Sequence, residues 1–170
     1  MIYSELRSDE ALLNDLKEEK SVFLLGCPAC ANTSIYIQKA VEDSDMLRLT
    51  PTGFKAISMV GELKRLTNLL NDKCTDVGSW VGKYPTIMLC LLDEHSRNNI
   101  SKKCRDFNTI ITLCCDAGTK SIEGILEGKR VIAGMKAKGL AIAALRSKLR
   151  FAKIYVDKSK VDIKQFTFDS

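Results

Sequence analysis

Three apolar runs along the chain repeat one local plan. They read VFLLGC (22–27), TIMLCLL (86–92) and TIITLCC (109–115), and small or polar residues and then a helical pattern follow each. A short continuous apolar run bounded by turn residues suits a strand buried on both faces. Strands of that kind alternating with helices define a mostly parallel sheet. The expectation is therefore an α/β fold: a three-layer domain with a mostly parallel central sheet and helices on both faces, built as a single α/β domain over 1–170. A chain of 170 residues, 45% hydrophobic and 28% charged, is long and apolar enough to bury such a core.

The remaining segments are placed around those strands. Leu6, Leu12, Leu13 and Leu16 share a face, which predicts an N-terminal helix within 1–20. Residues 29–41 read as a second helix. Residues 47–49 suit a short strand, and PTGF (51–54) a turn. Residues 56–70 carry Met59, Leu63, Leu66 and Leu70 on one side of a third helix. The polar, glycine-containing stretch 71–84 reads as a loop, and 94–103 as a helix. A short strand is expected in KRVIAG (129–134). Residues 141–170 form a basic helix–strand extension: Ile142, Leu145 and Leu149 face inward on a helix, Arg146, Arg150 and Lys153 face outward, and two strands close the chain.

Charge is unevenly spread. Residues 1–128 carry 15 Lys and Arg against 18 Asp and Glu, a net of −3, while residues 129–170 carry 11 against 3, a net of +8. The basic end suits an acidic protein surface or a phosphorylated ligand. No row of aromatic residues interleaves with it, which argues against nucleic acid. No run of 18 apolar residues is present and the acidic amphipathic start is unlike a secretory signal, so no membrane span and a cytoplasmic location are expected.

Seven cysteines remain to be explained: Cys27, Cys30, Cys74, Cys90, Cys104, Cys114 and Cys115. A reducing cytosol leaves metal binding, catalysis or plain burial as their roles. Cys27-Pro28-Ala29-Cys30 sits between a strand and a helix. That placement suits a redox dithiol, a pair of soft metal ligands, or two small buried residues. Ligands of open α/β sheets bind beyond the carboxyl ends of the strands. Cys27, Cys30, the segment Asp93–Ser96 and Cys114–Gly118 all fall at that edge. Alternation along a strand points Cys114 and Cys115 in opposite directions, so Cys115 is taken for the site and Cys114 for the core. His95, the single histidine, follows the second apolar run. Cys27, Cys30, Cys115 and His95 make a tetrahedral zinc set, with Asp93 or Glu94 orienting the imidazole and Asp116 capping a helix. Cys90 reads as mid-strand core. Cys74 or Cys104 would complete four thiolates for an iron–sulfur cluster if it folded in. The chain lacks GxGxxG, GxxxxGK[ST] and GxSxG.

The elements GCPACANTS (26–34), DEHS (93–96) and LCCDAGTK (113–120) come in an order that resembles the C-terminal domain associated with methylenetetrahydrofolate reductases, a cysteine-rich partner subunit of the flavin-containing enzyme in many anaerobes. Ser34 stands where that family has a third cysteine. His95 or its neighbour stands at the family's Arg-Gln-Cys turn. Cys115 matches the last family cysteine, with Asp116 and Lys120 replacing a glycine and a glutamine. The resemblance covers roughly 20–140. It implies zinc or an iron–sulfur cluster, one-carbon metabolism, and a flavin-dependent reductase subunit or a corrinoid protein as partner. A homo-oligomer also stays open. Against this accessory role stand a stand-alone zinc-thiolate methyltransferase, a CxxC thiol-disulfide enzyme, and a metal-free scaffold.

Overall fold

The structure, a computed structural model, describes residues 1–39, 46–85, 87–148 and 153–166. It contains two sheets rather than one. Strands β2 (Ser21–Gly26), β5 (Asp76–Val81), β6 (Thr109–Leu113) and β7 (Arg130–Ala133) form a parallel sheet in the order β5-β2-β6-β7. Strands β1 (Ile2–Leu6), β3 (Leu47–Thr50), β4 (Gly53–Ala56), β8 (Met135–Lys148) and β9 (Lys153–Gln165) form an antiparallel sheet in the order β1-β8-β9-β3-β4. The mostly parallel three-layer domain is thereby corrected: the larger sheet is antiparallel, and a long β8–β9 hairpin dominates it.

Each misreading has a local cause. The predicted helix over 140–149 is the second half of β8. Ile142 and Leu145 sit three apart, which looks helical. The run is nonetheless extended: Ile142 and Leu145 pair with Asp162 and Val156 of β9, and the register shift between Ala143 and Ala144 is taken up by three extra residues, 158–160, on the β9 side. Ile142 and Leu145 are exposed, at 65% and 63%, rather than buried. Where a strand is expected over 86–92, residues 87–92 form a loop: within it Met88 and Leu91 form an isolated bridge, Leu89 is buried and Leu91 is exposed. The place beside β2 goes instead to β5, from the stretch read as a loop. β5 is an edge strand and needs no continuous apolar run. Its Gly78 admits aromatic neighbours, since a Cβ there would lie 2.5 Å from the Phe23 ring. Residues 1–20 hold β1 and then α1 (Asp9–Leu16), whose start is fixed by the Ser8 hydroxyl accepting from the Ala11 amide at 3.2 Å. Of the positions expected in helices, Ala40, Val41, Leu149 and Arg150 lie outside the described residues. No helix among the described residues is long and apolar enough to cross a membrane.

Helix α2 (Cys30–Gln38) joins the two sheets. Edge strand β1 has backbone groups turned away from its partner β8. The Ser34 hydroxyl accepts from the Ser4 amide at 3.1 Å, Gln38 Nε2 donates to the Ser4 carbonyl at 2.7 Å, and Gln38 Oε1 accepts from the Leu6 amide at 3.3 Å. Covering an edge in this way prevents pairing with another chain. Ser34, the position where the resembling family has a cysteine, therefore has a structural task of its own.

Helix α3 (Ile57–Asn71) packs on β5, β2 and α2. Glu62 on it is 1% exposed and receives Lys39 at 2.8 Å and Arg65 at 2.8 Å; Arg65 also holds Asp9 at 2.7 Å. Burial pushes the Glu62 carboxyl up, but the hydrogen bonds from Arg65 and Lys39 outweigh it and hold the group below its usual range. A carboxylate held low stabilises the fold above its unfolded-state value, and that contribution is lost as the pH falls through the folded value. Glu62→Gln is expected to cost about 2 kcal/mol at neutral pH. The gap from the parent should close below pH ~4. Urea denaturation at several pH values measures both, and a gap that persists undiminished in acid would refute the assignment.

Candidate functional site

Strand order puts a crevice at one place. The chain leaves β2 for β5 on one side and leaves β6 for β7 on the other. The carboxyl ends of β2 and β6 thus flank the topological switch point, where open parallel sheets bind ligands. Cys27 follows β2 and its amide donates to the Leu113 carbonyl at 3.0 Å, continuing the ladder. Cys30 opens α2. Cys115 caps the start of α5 (Asp116–Ile125), with Asp116 as the first helical residue rather than the cap. Three of the four residues expected at the site are therefore at this edge.

The thiols there act on one another. Burial is the main cause that pushes Cys27 up to about 11. The backbone amides of Ala29 and Leu89 pull the other way by donating toward its sulfur, and the charges of Cys90 and Cys115 add to the rise. Cys90 is also raised, first by burial of its sulfur, then by Cys115, and further by Cys30. Cys27, Cys30, Cys90 and Cys115 thus form one neighbourhood drawn from three segments. A redox dithiol needs a first cysteine poised as thiolate near neutrality; Cys27 is shifted in the opposite direction. The all-parallel pairing of β2 also differs from the mixed sheet of a thioredoxin-like fold.

Cys90 is the functional candidate that sequence reasoning missed, by reading it as core. It lies in an exposed turn of the loop between β5 and helix α4 (Glu94–Cys104). One signal was present: Pro85, at the head of the run, is disfavoured in a central strand. The loop is seated over α5. A Cβ on Gly118 would meet the Cys114 sulfur at 2.9 Å and Leu89 at 3.3 Å, so only glycine lets the three segments close.

His95 does not join the cluster. It is exposed on α4, lines a shallow surface hollow with Asn98, Asn99 and Lys102, and interacts with Asp93. Asp93 instead caps α4, accepting from the Ser96 amide at 2.7 Å. Cys114 is fully buried, faces Thr119 at 3.4 Å and is pushed by burial up to about 12, as its core role requires. Cys104 is buried at the end of α4, and Cys74 donates to the Glu19 carbonyl at 3.4 Å. Both precede strands, β6 and β5, so they sit at the opposite edge and are unavailable as ligands here. As placed, no three His, Cys, Asp or Glu side chains among the described residues stand close enough together to hold a metal ion.

Beside Cys30 opens a cavity of about 530 Å³, bounded by the entry to α2, by Met46, Tyr84 and Met88, and by β8 and β9. The basic end of the chain offers less than its charge suggested. Arg146 is paired with Asp157 across the hairpin at 2.6 Å, Lys153 has an interaction of its own, and Arg150 lies outside the described residues.

Fold and site together define an α/β protein with a thiol-rich crevice at the switch point of a parallel sheet. No family model, no curated protein and no solved structure matches the chain.

Proposed function

We propose that this protein is a metal-binding accessory protein that takes zinc through Cys27, Cys30, Cys90 and Cys115. The observation that carries the reading is the placement of Cys27 and Cys115 at the ends of neighbouring parallel strands, with Cys30 one turn on and the Leu89–Cys90 loop seated over α5 beside Gly118. Cys27 and Cys30 offer two ligands from one turn, which costs little chain entropy because the loop is short. Cys115 adds a third from the neighbouring strand end. Cys90 adds a fourth from an exposed turn, and metal binding would draw the sulfurs to zinc–thiolate distance, ~2.3 Å. The Ala29 and Leu89 amides then donate to a sulfur that carries negative charge. Four thiolates close a tetrahedral site, which favours a structural role over a catalytic one. The resemblance to the reductase-associated domain favours thiolate ligands at Cys27, Cys30 and Cys115, while it places the remaining ligand at His95 or its neighbour rather than at Cys90.

The test is elemental analysis of protein prepared anaerobically with zinc and iron supplied. About one equivalent of zinc is expected. Iron with matching sulfide would replace zinc by a cluster on the same thiolates. Less than about a tenth of an equivalent of any transition metal would overturn the reading.

A further inference from the structure

We infer that the cavity beside Cys30 is a binding site for a small aromatic molecule that carries no positive charge, adjoining the thiol site and sharing Cys30 with it. Its volume, about 530 Å³, falls within the usual range for small-ligand pockets, roughly 300–1,000 Å³. Among the described residues no Asp, Glu, Lys or Arg side chain lines it; the polar side chains are those of Cys30, Thr33 and Tyr84, and the charge present is the Met1 ammonium, which donates to the Ala141 carbonyl at 3.0 Å. The Thr33 hydroxyl is already turned to the Ala29 carbonyl at 3.3 Å. A cationic ligand would therefore lose its hydration without a counter-charge and would meet a like charge at Met1.

The choice of aromatic over aliphatic follows from the walls. Met46 and Met88 bring polarizable thioethers, and Tyr84 brings a ring. Sulfur–aromatic and ring–ring contacts add to burial for a flat π-system and give an alkyl chain no comparable gain. Unbranched methionines also adapt to a rigid guest. At the mouth, Ile142 and Leu145 are 65% and 63% exposed, an apolar approach that a monomer would otherwise have no reason to display. The opposite wall is made by Ala143 and Ala141 of β8, small residues that leave the volume open.

The experiment uses reduced, metal-free full-length protein, so that its outcome is independent of zinc binding. The probe is N-phenylnaphthylamine, an uncharged fluorescent aromatic. Saturable one-to-one binding is expected, with Kd on the order of 10 μM. The cationic aromatic thioflavin T should bind at least about tenfold more weakly. Ala143→Trp, which fills the cavity, should weaken the neutral probe at least about tenfold with the circular dichroism unchanged. A second measurement does not depend on that variant folding: the neutral probe should slow alkylation of Cys30 by iodoacetamide in proportion to occupancy while Cys90 reacts at its free rate. Non-saturable binding, equal affinity for the two probes, or an unchanged Cys30 rate at saturation would each overturn the inference.

Discussion

Cys90→Ser is expected to strip the protein of zinc, and His95→Ala to leave it loaded. Sequence order alone suggests the reverse, because His95 follows an apolar run and Cys90 lies inside one. The fold reverses the two by making residues 87–92 a loop. The loop sets the Leu89 amide on the Cys27 sulfur and brings Cys90 under the influence of Cys115 and Cys30. His95 meanwhile faces Asn98, Asn99 and Lys102 on its own helix. Loss of an outer-shell partner typically costs about 10–100-fold in metal affinity. Loss of a direct thiolate ligand should therefore exceed about 100-fold, read by competition with a chromophoric chelator. Cys104→Ser and Cys74→Ser should behave like the parent, since both residues lie at the far edge. The pH dependence has a fixed sign. A thiol pushed up to about 11 is protonated at neutral pH, and the metal must displace that proton. Apparent affinity should thus weaken as the pH falls, by about tenfold per unit for each proton released. Retention of zinc by Cys90→Ser together with its loss from His95→Ala would reinstate the histidine.

What could be read from the sequence was whatever depends on a buried parallel strand. β2 and β6 are buried along nearly their whole length, and their apolar runs announce them. The consequence drawn from them, that Cys27 and Cys115 meet at one edge, holds because the two strands are direct neighbours in register. The antiparallel sheet could not be read in the same way. β8 carries apolar residues three apart, Ile142 and Leu145, which read as helical spacing although both lie in a strand, and β1 has only five residues before the Ser8 cap. β5 succeeds as a strand through the absence of a side chain at Gly78 rather than through an apolar pattern. The missed ligand has the same origin. Once TIMLCLL is taken as a strand, Cys90 is core by alternation. Only the pairing of β5 with β2, a contact across more than fifty residues of sequence, shows that the run is surplus to the sheet.

Asn32→Ala is expected to be among the most damaging single substitutions outside the thiols. Asn32 is fully buried, and both ends of its amide are used. Nδ2 donates to the Met46 carbonyl at 3.1 Å, and Oδ1 accepts from the Met59 amide at 2.8 Å. Met59 is the third residue of α3, so its amide is one of the helix's orphan donors. The α3 N-cap position is Ala56, which has no side chain to serve it. A residue of α2 thus caps α3 from outside and ties the start of β3 to both helices. Alanine removes two hydrogen bonds and leaves the buried Met59 amide unmet, while the Met46 carbonyl keeps the Ile57 amide at 3.0 Å, for a loss of about 2 kcal/mol. The midpoint of urea denaturation should fall with little change in slope. The site should suffer as well: Asn32 stands two residues beyond Cys30, so loosening the first turn of α2 misplaces one sulfur of the set and lets its alkylation accelerate. A variant with parent-like stability and an unchanged Cys30 alkylation rate would show that α3 finds its cap elsewhere.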